Sequence, residues 1–129
     1  MNDKYIIVKD SFENVMQDDG VQAFQFRIRI PHFQGVPFSQ VNYIRALIDG
    51  EEVPQQDLRV VASTGEVFRM EELSTCDDYF WEYGEQLRVR VMRGGLAKGP
   101  HHLEVLANVA VIFTPAGFGS RSWTDFEMQ

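Results

Sequence analysis

The stretch FQFRIRI, residues 24–30, decides the fold class. Phe24, Phe26, Ile28 and Ile30 fall on one side of an extended chain, and Gln25, Arg27 and Arg29 on the other. This period-two pattern is that of a half-buried strand. Pro31 has no N–H for a ladder, so the strand ends or reaches an edge there. HFQGVPFS follows as a loop, punctuated by Gly35 and Pro37.

The same pattern recurs along the chain. In VNYIRALID, Ile44, Ala46 and Ile48 alternate with Tyr43, Arg45 and Leu47, and Asp49-Gly50 predicts a tight hairpin returning through Glu51-Glu52-Val53. LRVVAS and EVFRM bracket a second hairpin signal, Thr64-Gly65. MEELS, with Leu73 behind two acids, fits a single helical turn. LRVRV puts Leu87, Val89 and Val91 inward. The turn-rich RGGLAKGP then leads into the longest strand candidate, HHLEVLANVAVIF. One of its faces carries Leu103, Val105, Ala107, Val109, Val111 and Phe113. The other starts polar and becomes apolar, as a face covered by a strand, the tail or a partner would.

Short strands with turn signals every eight to twelve residues predict an all-β fold, an antiparallel β-sandwich of the immunoglobulin or fibronectin kind. One domain over residues 1–113 is expected, followed by a tail over 114–129. That tail is rich in Gly and Ser yet carries Phe118, Trp123, Phe126 and Met128, which suits docking on a partner or on its own sandwich.

Composition narrows the function. The chain has 129 residues, enough for one domain. Its formal charge of −7 has the wrong sign for a phosphate-binding domain, so no nucleic acid partner is expected. Three lysines among 12 basic residues make no polybasic membrane anchor, and no stretch approaches the ~20 apolar residues of a span. Cys76 is alone, which suits a reducing compartment, and MNDKYIIVKDSF lacks the form of a secretory signal. A cytoplasmic location is expected.

The search for chemistry starts with His32, His101 and His102. Adjacent strand residues face opposite ways, so His101 and His102 cannot both serve one metal. His102 and Glu104 share a face, and with His32 they would make a metal-dependent β-barrel site. A histidine stabilising a turn at a strand start is the better-supported reading. The doublets Glu51-Glu52, Glu71-Glu72 and Asp77-Asp78 read as solvated charge rather than a glycosidase pair. Asp77 and Asp78 would raise the Cys76 thiol pKa rather than activate it. The aromatic run DYFWEYGE places Tyr79, Trp81 and Tyr83 on one face and Phe80 with Glu82 on the other. It serves as core, as a protein interface, or as a sugar-stacking platform in a stand-alone carbohydrate-binding module.

Four segments in succession, FQFRIRIPHFQGVPFS, IDGEEVP, FWEYGE and GGLAKGPHHLEVLANVAV, resemble the small (beta) subunit of bacterial C-glycoside deglycosidases over roughly residues 20–114. The resemblance implies a small β-sandwich subunit that carries no catalytic residues and binds no cofactor of its own. Its partner would be an alpha subunit with a TIM barrel similar to sugar isomerases, holding a divalent metal, usually manganese, and the acid/base residues. Together they would cleave the carbon–carbon bond between a 3-oxo-glucosyl group and an aromatic aglycone such as a flavonoid. The expected partner-interface residues are His32, Phe33, Phe38, Tyr79, Trp81, Tyr83, Trp123 and Phe126.

Overall fold

The structure, a computed structural model, describes residues 2–31, 35–111 and 114–129. Its strands in chain order are β1 (Glu13–Met16), β2 (Gln22–Ile28), β3 (Val36–Pro37), β4 (Val41–Ile48), β5 (Glu51–Glu52), β6 (Leu58–Val61), β7 (Val67–Arg69), β8 (Phe80–Trp81), β9 (Leu87–Val91), β10 (Gly99–Val111) and β11 (Thr114–Met128). They form a five-stranded sheet, β1-β2-β9-β6-β7, a four-stranded sheet, β11-β10-β4-β5, and a two-stranded ribbon, β3-β8. Each of these pairings is antiparallel. This is the all-β sandwich that the alternation predicts. No helix among the described residues is long and apolar enough to cross a membrane.

The alternating residues meet between the two larger sheets. Phe24, Phe26 and Ile28 of β2 and Leu87, Val89 and Val91 of β9 are buried from one side. Leu103, Val105, Ala107 and Val109 of β10 and Ile44 and Ala46 of β4 are buried from the other. All belong to one hydrophobic cluster. Gln25 departs from its polar face and is buried, because its amide accepts from Arg90 at 2.9 Å and donates to Glu13 at 2.9 Å.

The turns follow the residues that need them. Asp49 and Gly50 take φ values of +52° and +87°, the left-handed pair of a two-residue hairpin that pairs Ile48 with Glu51. Thr64-Gly65 turns β6 into β7. MEELS makes a 3₁₀ turn over Met70–Thr75, with Leu73 buried and the Glu72 carboxylate accepting the Arg69 N–H at 2.7 Å.

The C-terminal segment pairs along β10 from Gly99↔Met128 to Val111↔Thr114, so its docking is on its own sandwich, as a strand. Phe126 seals it in. Its ring lies 4.1 Å from Phe12 and 5.6 Å from Phe24, a stack that bridges the two sheets. The N-terminal residues close the neighbouring gap. The Asp3 N–H donates to the Arg121 carbonyl at 2.9 Å, and the Val8 N–H to the Arg27 carbonyl at 3.0 Å. Ile6, Ile7 and Val8 are thereby buried along the sandwich edge.

Two expected interface residues belong to this core. Trp81 is 0% exposed, with its indole N–H donating to the Glu85 carbonyl at 3.2 Å, and Phe38 is buried beside it in the same cluster. In the free chain neither presents surface to a partner, which corrects both assignments. The chain leaves strand geometry after Trp81, so Tyr83, two residues on, stands in the following turn and is exposed.

Burial on this scale has a measurable consequence. Trp81→Ala removes the largest fully buried side chain and should cost about 3–5 kcal/mol in urea unfolding. Tyr83→Ala, in the exposed turn, should stay within about 0.5 kcal/mol of the parent. Comparable losses for the two would contradict the placement of Trp81.

Candidate functional site

The two ends of the sandwich are built differently. At the end where β2 begins and β9 finishes, polar groups satisfy one another. His101 places Nδ1 2.7 Å from Asp49 Oδ2 and Nε2 2.8 Å from the Ala97 carbonyl. The second Asp49 oxygen accepts the His102 backbone N–H at 2.8 Å. Acceptors at both ring nitrogens select the doubly protonated imidazolium. The hydrogen bond with Asp49 is the chief cause that holds the His101 pKa above the ordinary histidine value, and the same bond lowers that of Asp49. His101 thus acts as a turn-stabilising residue.

The rival metal constellation is engaged elsewhere. His102 meets Asp125 at 2.7 Å and Glu104 pairs with Arg121, both across to β11. Among the described residues no group of three or more His, Cys, Asp or Glu could hold a metal ion. His32 lies outside the described residues. Glu52 is tied to Arg45 at 2.7 Å. Burial first, then the charges of Asp78, Glu66 and Asp77, push the Cys76 thiol up, which leaves it protonated and unreactive.

At the opposite end, the β3–β8 ribbon brings residues 35–38 against 79–81, the described parts of two segments that carry expected interface residues. Val36 pairs with Trp81 and Pro37 with Phe80. The Phe38 N–H donates to the Tyr79 carbonyl at 2.8 Å and the Ser39 N–H to the Cys76 carbonyl at 3.0 Å. Gly35 is required for this approach, since a Cβ there would lie 2.9 Å from Glu82 Oε2 and 3.0 Å from the Trp81 carbonyl.

The expected interface residues divide by exposure. Tyr79 is half-buried, stacked on Phe38 and edge-on to Phe68, with its hydroxyl donating to Glu66. Tyr83 is 60% exposed. Trp123 is half-buried on the outer face of the four-stranded sheet, with the Arg121 guanidinium 5.0 Å from its ring centroid. Phe126 packs on its own core, as described, and His32 and Phe33 lie outside the described residues. Three exposed aromatics were not among the expected interface residues: Phe80 at 51%, Tyr5 at 41% and Tyr43 at 40%. Alternation held the signal for Phe80, because it sets Phe80 opposite the buried Trp81. Burial first, and then the neighbouring Tyr83, raise the Tyr5 pKa, and the Arg29 guanidinium lies 5.2 Å from the Tyr5 ring centroid. Only folding of the N-terminal segment brings it there.

Comparison with known proteins points to one family. A sequence model of the C-glycoside deglycosidase beta subunit family matches residues 2–113. The chain is similar to the C-glycoside deglycosidase beta subunit of Eubacterium cellulosolvens, with 28% identity over 104 residues, 79% of this chain and 70% of that one. It is also similar to a 3′-dehydrocarminate deglycosidase beta subunit from Microbacterium sp, with 26% identity over 110 residues, 85% of this chain and 79% of the other.

The His101–Asp49 pair sets a pH dependence. Because His101 is raised, its contribution to stability is full below the ordinary value of about 6.5 and is lost as pH rises through the folded value. Asp49 is lowered, so its contribution is present above about 3.8 and is lost as pH falls through its folded value. The melting temperature should therefore decline as pH rises from 6.5, and His101→Gln should flatten that limb. An NMR titration placing His101 at or below 6.5 would overturn this.

Proposed function

The chain belongs to the C-glycoside deglycosidase beta subunit family, and on that premise we propose that it is the accessory subunit of a cytoplasmic, heteromeric C-glycosyl lyase. In this reading the alpha subunit is a TIM barrel similar to sugar isomerases. It holds a divalent metal, manganese in the first instance, together with the acid/base residues. The substrate is a 3-oxo-C-glucoside, in which the oxidised sugar carbon acidifies its neighbour. A base on the alpha subunit takes the proton from that neighbouring carbon. A double bond forms from it to the anomeric carbon as the bond to the aromatic aglycone, such as a flavonoid, breaks, and an acid on the alpha subunit protonates the departing aglycone carbon.

The family match across residues 2–113 carries this reading. The molecule supports it in a second way. His102 and Glu104 are committed to Asp125 and Arg121, and Glu52 to Arg45, so the groups that suggest a separate catalytic site serve the sheet instead. What remains on the surface is a set of exposed aromatic side chains, the kind of group that anchors a protein interface. Exposed Tyr83 also favours one alternative, a stand-alone carbohydrate-binding module that stacks a sugar on that ring.

Co-expression with an isomerase-like barrel protein encoded beside it separates the two. The expected result is a stable hetero-complex by size-exclusion chromatography with light scattering. Manganese should track the large chain, and cleavage of a 3-oxo-C-glucoside should need both chains. A lone 14.9 kDa species that ignores the barrel protein and binds glycosides by itself would replace this reading with the carbohydrate-binding one.

A further inference from the structure

Charge is distributed unevenly along the chain. Residues 66–85 contain seven acidic residues, Glu66, the doublets at 71–72 and 77–78, Glu82 and Glu85, against one base, Arg69. That stretch carries −6 of the total −7, which leaves −1 for everything else. Close ion pairs are distributed in the opposite sense. Among the described residues, five of the six lie outside this stretch, and within it only Glu71 meets a cation, Arg69 at 3.6 Å. Burial first, then the charge of Glu82, hold the Glu85 carboxyl above the ordinary range.

The two most exposed aromatic rings lie in the same place. Phe80 and Tyr83, at 51% and 60% exposure, lie inside the acidic stretch, and Tyr5, at 41%, neighbours Tyr83. The ribbon that presents them is held by the Gly35 approach and by the Phe38–Tyr79 backbone bond, so little ordering is left to be done on binding. The outer face of the four-stranded sheet is the other broad surface with apolar groups, Tyr43, Leu106 and Trp123. There, however, Arg45–Glu52, Arg121–Glu104 and His102–Asp125 are already paired, so covering it would desolvate neutralised charges for little gain.

We propose that the ribbon end, with Phe80 and Tyr83 as apolar anchors and the Glu66–Glu85 acids around them, docks on a basic surface of the alpha subunit. The inference rests on the beta-subunit reading and specifies which face of this chain meets the partner. Anchors supply affinity, and complementary charge supplies rate and orientation.

The test uses the co-expressed, purified subunits and measures association by surface-based or calorimetric titration. Phe80→Ala and Tyr83→Ala should each weaken binding about 30-fold. Asp78→Lys with Glu82→Lys should slow association about tenfold, and parent affinity should fall as salt rises from about 50 to about 300 mM. Tyr43→Ala, on the outer sheet face, should bind as the parent does. These five positions, 43, 78, 80, 82 and 83, are exposed, and circular dichroism melts would confirm that the variants fold. If the parent binds and both aromatic variants match it while Trp123→Ala weakens the complex, this face is wrong and the subunit reading stands. If affinity ignores salt and the charge reversals, the basic counter-surface is wrong. A parent chain that fails to bind any barrel protein removes the subunit reading, and this inference with it.

Discussion

A strand has two faces, and in a two-sheet sandwich only one of them can be dry. β2, β9, β4 and β10 each turn alternate residues into a single shared layer, in which Phe24, Phe26, Val89, Ile44, Val105 and Val109 are wholly buried. Everything else in the molecule is arranged around closing that layer. The long sides are sealed by backbone pairing, but the sheet edges and the two ends are not, and they have been closed by different means. Along the β11 edge the N-terminal segment bonds to both sheets, and the Phe12–Phe126–Phe24 stack plugs the space behind it. Where β2 begins, the Asp49–His101–Ala97 chain ties a hairpin turn to the approach of β10. Where β2 ends, the β3–β8 ribbon lays Trp81 and Phe38 over the core.

Elements with strict alternation were legible in the sequence for this reason. β2, β4, β9 and β10 carry their inward residues at every second position, and Asp49-Gly50 and Thr64-Gly65 have the residues that tight turns demand. β11 was not. Pro, Gly and Ser dominate its first half, and such residues weaken a strand reading. Yet Thr124, Phe126 and Met128 alternate with Asp125 and Glu127, a pattern too short beside that composition to outweigh it. Ile6–Val8 escaped as well, since a short apolar run between charges has no period. Its burial comes from lying between sheets, a tertiary fact.

Strand pairing joins Val36–Pro37 to Phe80–Trp81, from two segments that the sequence named together as candidates for a partner surface. Assigning individual rings needed the point where the strand stops. Alternation carried one step too far puts Tyr83 with Trp81; the turn at Tyr83-Gly84 sends Tyr83 out while Trp81 stays under the ribbon. The same alternation, read from a buried Trp81, turns Phe80 outward.

Folding alone gives no reason for the placement of charge. Carboxylates gathered without cations repel one another and lower the stability of the compact chain. Over the rest of the chain acids and bases nearly balance, and five of the six close ion pairs among the described residues lie there. A chain that nearly balances its charges over most of its length, and concentrates its net charge in a stretch that also exposes Phe80 and Tyr83, departs from the local rules in one place. Such departures collect at functional sites, where the cost to the free subunit is offset when something binds. Here both departures, unpaired acid and bare aromatic surface, ask for the same occupant: a protein surface that is basic at its rim and apolar at its centre.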